Sequence, residues 1–183
     1  MVTNYEARNR PGPVWNGRDR AMADNVRWIR EREGPHGGVI VLAHNAHIQT
    51  TKSVAAVVPA SSASLGMFLN SMIGDDYRNI GFTYNKGAMW DGSGGRIELP
   101  PAETGSIDWA MAQVGLPLFL VNFGTMPRGG AVREWLDRPV KQRIQNFSTE
   151  YNEFLSWDGL VFVDTITPSR LAEKPPDAGG RKD

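Results

Sequence analysis

The chain has 183 residues, and its 20 Lys+Arg balance its 20 Asp+Glu, so the formal net charge is zero. That length fits one domain or one part of a larger enzyme, and the neutral balance leaves no electrostatic footprint for nucleic acid or an anionic membrane surface. Zero cysteines exclude a disulfide framework, a cysteine nucleophile and a thiolate zinc site. Uninterrupted apolar runs such as Val39–Ala43 and Leu118–Val121 fall far short of the ~20 residues of a spanning helix. Met1 to Arg10 is polar and lacks the apolar core of a signal peptide, so a cytoplasmic location is the expectation.

Residues 1–17, broken by Pro11, Gly12, Pro13 and Gly17, read as a loose lead-in. Asn16 or Asp19 can then cap a helix that runs to about Glu33, with Met22, Val26 and Ile29 facing the core. The pairs Arg20/Asp24 and Arg27/Glu31 are opposite charges four residues apart on its wet side. Gly34-Pro35-His36-Gly37-Gly38 stops that helix. Val39 to Ala43 is apolar on both faces and rich in β-branched residues, which predicts a central parallel strand. Residues 49–63 read as a loop, and a second helix is predicted from Leu65 to Ile73, ended by Gly74. Ile80 to Tyr84 is a predicted strand. Residues 86–105 form an irregular excursion with a short strand at Arg96–Leu99, and Asp91-Gly92-Ser93-Gly94-Gly95 reads as a loop tip. A helix at Ile107–Val114, a buried strand at Leu118–Val121, a helix at Val132–Leu136 and a buried strand at Leu160–Val163 follow. The tail, residues 171–183, has the Pro/Gly/charge-rich composition of a disordered segment. The alternation predicts an α/β domain over residues 18–170, a mostly parallel sheet flanked by helices.

Ligands in such sheets bind beyond the carboxyl ends of the strands. Three predicted strand ends carry polar groups: His44 to His47, Asn122 and Asp164. Imidazole is the side chain suited to moving a proton near neutral pH, so one ring of the His44/His47 pair can activate water while the other holds or polarises a substrate oxygen. Two ordinary strand-end residues are the alternative. Asn45 can donate to a developing oxyanion or cap the following turn. Asp164 can orient a histidine or bond the backbone of the next loop. A metal reading is weaker, because the zinc-protease motif places Glu between its histidines on a helix, whereas Asn45 and Ala46 stand here. No Gly-x-Ser-x-Gly elbow and no phosphate loop is present. No cofactor is implied.

The stretch Arg18-Asp19-Arg20-Ala21-Met22-Ala23-Asp24-Asn25-Val26-Arg27-Trp28, followed by Val39 to Ala43 and then His44-Asn45-Ala46-His47-Ile48, resembles the erythromycin esterase family. Leu65-Gly66, Gly74-Asp75-Asp76-Tyr77 with Ile80-Gly81-Phe82, and Trp157 through Asp164 resemble its later helix and strands. The resemblance implies an α/β hydrolase that opens the lactone ester of macrolide antibiotics through histidine-activated water. Some relatives carry a succinoglycan-biosynthesis label. It places His44 and His47 in the active site, stabilising substrate or intermediate; Asn45 and Asp164, from their own chemistry and position, are the substrate-binding candidates. Members of the family are longer and carry an N-terminal half with a Gly-Glu-x-x-His-Gly segment whose histidine is taken as the general base. His36, in Pro35-His36-Gly37-Gly38, lacks the preceding glutamate. The chain is therefore expected to be a C-terminal part lacking that base, with the helices near 65–74 and 106–115 exposing apolar faces. The alternative function is a non-catalytic binding or assembly domain that pairs with a separate N-terminal chain.

Overall fold

A computed structural model of the chain describes residues 14–51, 63–91 and 93–169. Most of the predicted lead-in, most of the Thr/Ser/Ala-rich loop and the predicted tail lie outside these residues. Helix α1 runs Val14–Glu33, α2 is a single turn at Asn45–Ile48, and α3 spans Leu65–Ile73. Strand β1 (Ile80–Trp90) turns back as β2 (Arg96–Leu99). Helix α4 (Ile107–Ala112) leads to β3 (Leu118–Asn122) and α5 (Ala131–Leu136). A hairpin of β4 (Val140–Ile144) and β5 (Phe147–Tyr151), the turn α6 (Glu153–Ser156) and β6 (Gly159–Ile166) complete the order. None of the helices among the described residues is long and apolar enough to cross a membrane.

The α/β class and the flanking helices match the expectation. Strand direction differs from the mostly parallel sheet predicted. The main sheet has the order β2-β1-β6-β3, in which only β1 and β6 run parallel and both edge pairings are antiparallel. An apolar run says that a strand is buried, not which way it points; direction is set by the connection. The β4–β5 hairpin forms a separate two-stranded sheet that the sequence reading did not anticipate.

Helix α1 is already formed at Val14, so Asn16 and Asp19 lie inside it and neither caps it. Met22, Ala23 and Val26 pack on Leu65 and Leu69 of α3, whereas Ile29, expected in the same stripe, is exposed. Both predicted i,i+4 ion pairs form, Arg20–Asp24 at 3.2 Å and Arg27–Glu31 at 3.7 Å. Ser64 caps α3 by accepting from the Met67 amide, and Gly74 closes it at φ 52°, a backbone conformation that side chains with a Cβ rarely adopt.

The larger core lies under one face of the main sheet. Leu160 and Phe162 of β6 pack there against Ile107 and Met111 of α4, with Phe123, Leu136, Val140, Tyr151 and Trp157 around them. On the opposite face no layer of the described residues covers Phe82 and Leu120. Phe82, Val161 and Leu120 stand side by side across β1, β6 and β3, and Phe82 and Leu120 remain 58% and 54% exposed. Leu118–Val121 is thus an edge strand buried on one side only, not the two-sided buried strand predicted. The sheet carries much of the bare apolar surface; in the helices near 65–74 and 106–115 Leu65, Leu69, Ile107 and Met111 are buried, while Val114 at the end of the second is 56% exposed.

The predicted central strand at Val39–Ala43 is the largest departure. The segment is extended, but among the described residues no strand lies beside it and no backbone hydrogen bond reaches residues 38–43. Val41 packs against the α1–α3 cluster, while Ile40 and Leu42 are 90% and 94% exposed. The alternation of a strand is present and the ladder is not. A ladder needs a strand alongside in hydrogen-bonding register, and among the described residues none accompanies this segment.

Beneath the covered face lies an acidic interior. Asp108 accepts from Thr83 Oγ1 and from the Arg143 amide, the latter at 2.9 Å. Glu153 is fully buried without a well-formed hydrogen bond to either oxygen. Burial, then repulsion from Asp108, pushes the Glu153 carboxyl well above the ordinary range, moderated by the Trp157 indole; burial pushes Asp108 up as well. A carboxyl with a raised folded pKa weakens the fold as pH climbs from its unfolded value towards its folded one, and the loss persists above that. Glu153→Gln should therefore raise the melting temperature at neutral pH and lose this advantage as pH falls to the ordinary carboxyl range. Calorimetry across that range checks it, and a pH-independent effect would contradict the buried-acid account.

Candidate active site

Every sequence-predicted candidate except Asp164 sits on or next to α2, a single helical turn. His44 is its N-cap, with extended backbone (φ −64°, ψ 147°) and a side chain whose Nδ1 accepts from the Ala46 amide at 3.2 Å. The His44 ring sits at the exposed end of the bare 38–43 segment. Half-burial of the ring, then the nearby His47, holds its pKa below the usual imidazole value, so His44 is neutral at physiological pH.

His47 points inward. Its Nδ1 lies 2.9 Å from Asp19 Oδ2, and the same oxygen accepts from the Leu65 amide at 2.9 Å. Asp19 is 5% exposed and stands at the first amide of α3, where the positive end of the helix favours its charge. Asp19 is the residue that the sequence reading missed in this role. Its signal was there: position 19 falls on the same helical stripe as Met22, Ala23 and Val26, and a carboxylate on a core-facing stripe calls for a partner.

Asn45 does neither of the things expected of it. Its amide donates to the Phe82 carbonyl at 2.6 Å and accepts from the Phe82 N–H at 3.0 Å. One side chain thereby gives β1 the two bonds that a neighbouring strand residue would give, which occupies its Oδ1 and one of its two N–H donors. Further bolts fix the turn. Tyr77 Oη and Asn79 Nδ2 donate to the Ile48 carbonyl at 2.7 and 2.8 Å, and Ser64 Oγ donates to the Gln49 carbonyl at 2.6 Å. A Cβ at Gly66 would lie 2.1 Å from the Ile48 oxygen, so α3 meets the end of the turn backbone to backbone.

Asp164 stands apart. It accepts from Asn85 Nδ2 at 2.8 Å and Thr165 Oγ1 at 2.9 Å and pairs with Lys86 at 3.8 Å, contacts that hold its carboxyl below the ordinary range. None of its hydrogen bonds reaches His44, Asn45 or His47. Its partner Asn85 lies three residues beyond Phe82 on β1, about 10 Å along the strand.

Among the described residues no three His, Asp or Glu side chains converge to hold a metal. Two clefts, of about 550 Å³ beside Arg78 and Asp158 and about 320 Å³ between Val26 and Val41, are not lined by the histidines.

A single amide carries the junction between this turn and β1. Asn45→Ala leaves the Phe82 N–H without its partner and should cost about 1–3 kcal/mol in urea unfolding, whereas Leu42→Lys, on the bare segment, should stay within about 0.5 kcal/mol. Equal effects from the two would contradict the clamp.

Comparison with known proteins gives the same grouping. The chain is 26% identical over 159 residues to the putative hydrolase YbfO of Bacillus subtilis, covering 83% of this chain and 35% of that protein. It is 32% identical over 120 residues to erythromycin esterase type II of Escherichia coli, covering 60% of this chain and 28% of that one. The chain thus spans about a third of the length of these curated relatives. Among solved structures, a Bacillus cereus protein superposes with a TM-score of 0.71 at 20% identity, covering 87% of this chain and 40% of that one. A succinoglycan biosynthesis protein follows at 0.70 and 19%, covering 86% and 41%. An asparagine-for-histidine mutant of the erythromycin esterase EreC in its open conformation matches at 0.62 and 20%, covering 88% and 40%. At these identities the superpositions speak for the fold. The erythromycin esterase family model matches residues 1–165 of the 183, and the chain belongs to that family.

Proposed function

We propose that this chain supplies the His44–His47 turn of an ester hydrolase that acts on a small-molecule carboxylic ester by attack of water. The observation that carries this reading is the pair of imidazoles on one immobilised turn. Each Nδ1 is engaged, and among the described residues no hydrogen bond takes either Nε2. Family membership gives the reaction class, and the E. coli relative named as an erythromycin esterase makes a macrolide lactone the first substrate to try. In hydrolysis, water adds to the carbonyl carbon as its proton passes to an imidazole. The second imidazole donates to the developing oxyanion. The tetrahedral intermediate then expels an alkoxide, which takes the proton back. Asp164, with its own partners, is assigned a place at the rim of the substrate surface.

The bare sheet face and the unpaired segment at 38–43 favour a second element of this reading: the chain works against a polypeptide that covers them. That polypeptide is proposed to bring the general base of the longer relatives or to use this chain as a non-catalytic assembly domain. The purified chain should bind a fluorescent apolar dye, and Ile40→Lys with Leu42→Lys should lower that binding without unfolding it. A chain that binds no dye would contradict the uncovered surface.

The catalytic reading is tested with an activated ester and a macrolide. Turnover should fall by at least about tenfold in His44→Ala and in His47→Ala, with unchanged circular dichroism. Wild-type rates in both variants would overturn the assignment. No turnover from a folded wild-type chain would favour the assembly-domain reading.

A further inference from the structure

The two histidines differ in what holds them. Nδ1 of His44 faces a backbone N–H, which can only donate. A neutral imidazole carries one proton, so the His44 proton is on Nε2. Nδ1 of His47 faces a carboxylate oxygen, which can only accept when ionised, so in the neutral ring the His47 proton is on Nδ1 and Nε2 carries the lone pair. Free imidazole side chains favour the Nε2–H form, so His44 needs no help and His47 does. The group that holds His47 in the minority form is Asp19, buried, at a helix N-terminus, with its oxygen fixed by the Leu65 amide.

We infer that Asp19 is a positioning residue that keeps His47 in the Nδ1–H tautomer, so that the turn presents two imidazoles in opposite tautomers: His47 Nε2 as proton acceptor and His44 Nε2–H as hydrogen-bond donor. This rests on the hydrolase reading for its chemical use and on geometry alone for its existence. It divides the work that the sequence left shared between the rings. His47 Nε2 accepts a hydrogen bond from the attacking water, and His44 faces the carbonyl oxygen. His44 suits that part for a second reason: with its pKa held down by burial and by His47, it stays a neutral donor instead of competing for the proton. A carboxylate that fixes a histidine tautomer is worth orders of magnitude in rate where the histidine is a base. Asp19 touches no substrate position and acts only through His47.

The test is long-range ¹H–¹⁵N correlation spectroscopy of the three histidine side chains at about pH 8, where an ordinary imidazole is neutral. His36, exposed in its turn, serves as the reference, and His44→Gln assigns the pair. The expected spectrum of the wild-type chain has His47 protonated on Nδ1 and His44 on Nε2. His47 protonated on Nε2, or both rings in one form, overturns the inference. In Asp19→Ala, which leaves the Ser64 cap of α3 in place, His47 should revert to Nε2–H. A folded variant in which it does not revert removes Asp19 from the role. If the variant unfolds, the wild-type spectrum alone decides. Ester turnover is read in parallel. Opposite tautomers without turnover support the pair and remove the ester reading, whereas turnover with the wrong tautomers keeps the ester reading and removes this inference.

Discussion

One carboxylate oxygen joins three helices. Asp19 Oδ2 takes the first amide of α3 and the ring of His47 at the same time, and it projects from the middle of α1 to do so. An ionised carboxylate buried without such partners is strongly disfavoured; Glu153 answers that cost with a raised pKa, whereas Asp19 answers it with these contacts. The register of α1 on α3, the seat of Leu65 and Leu69, and the direction of the His47 ring are therefore set together. The histidine turn is less an appendage to the fold than the place where its helical layer is tied.

Legibility follows from how local each constraint is. Helix α3 could be read closely, because its Ser64 cap, its apolar stripe and its Gly74 stop are all within the segment. The histidine pair was visible as a site because two of three histidines stand three apart after an apolar run. The use of Asn45 was not visible, since its partner Phe82 lies 37 residues away and contributes only backbone. Arg143 was hidden for the same reason: it joins the hairpin to carbonyls of Asn85 and Pro100, and no periodicity in Val140 to Tyr151 announces that. Asp19 lay between these cases, legible as an oddity on an apolar stripe but not as a partner of His47.

The sheet gives the complementary lesson. Val39 to Ala43 has every local property of an interior strand, yet it makes no ladder and leaves Ile40 and Leu42 bare. Local pattern records what a segment is built to contact, not whether the contact is present. The same holds for Phe82, Leu118 and Leu120, which form the uncovered side of a sheet whose other side is densely packed. This chain aligns to about two fifths of each solved relative.

The contact at Gly66 bears on how such a site tolerates change. Where two elements meet through side chains, each accepted mutation shifts their spacing by a fraction of an ångström, and the shifts accumulate. Helix α3 instead meets the carbonyls of Ile48 and Gln49 directly, with no room for even a methyl group. Peptide groups are the one part of a protein that mutation does not alter. The distance from α3 to the histidine turn is thus set by peptide groups and by the missing side chain at position 66, and a larger residue there would push the turn and its two imidazoles away.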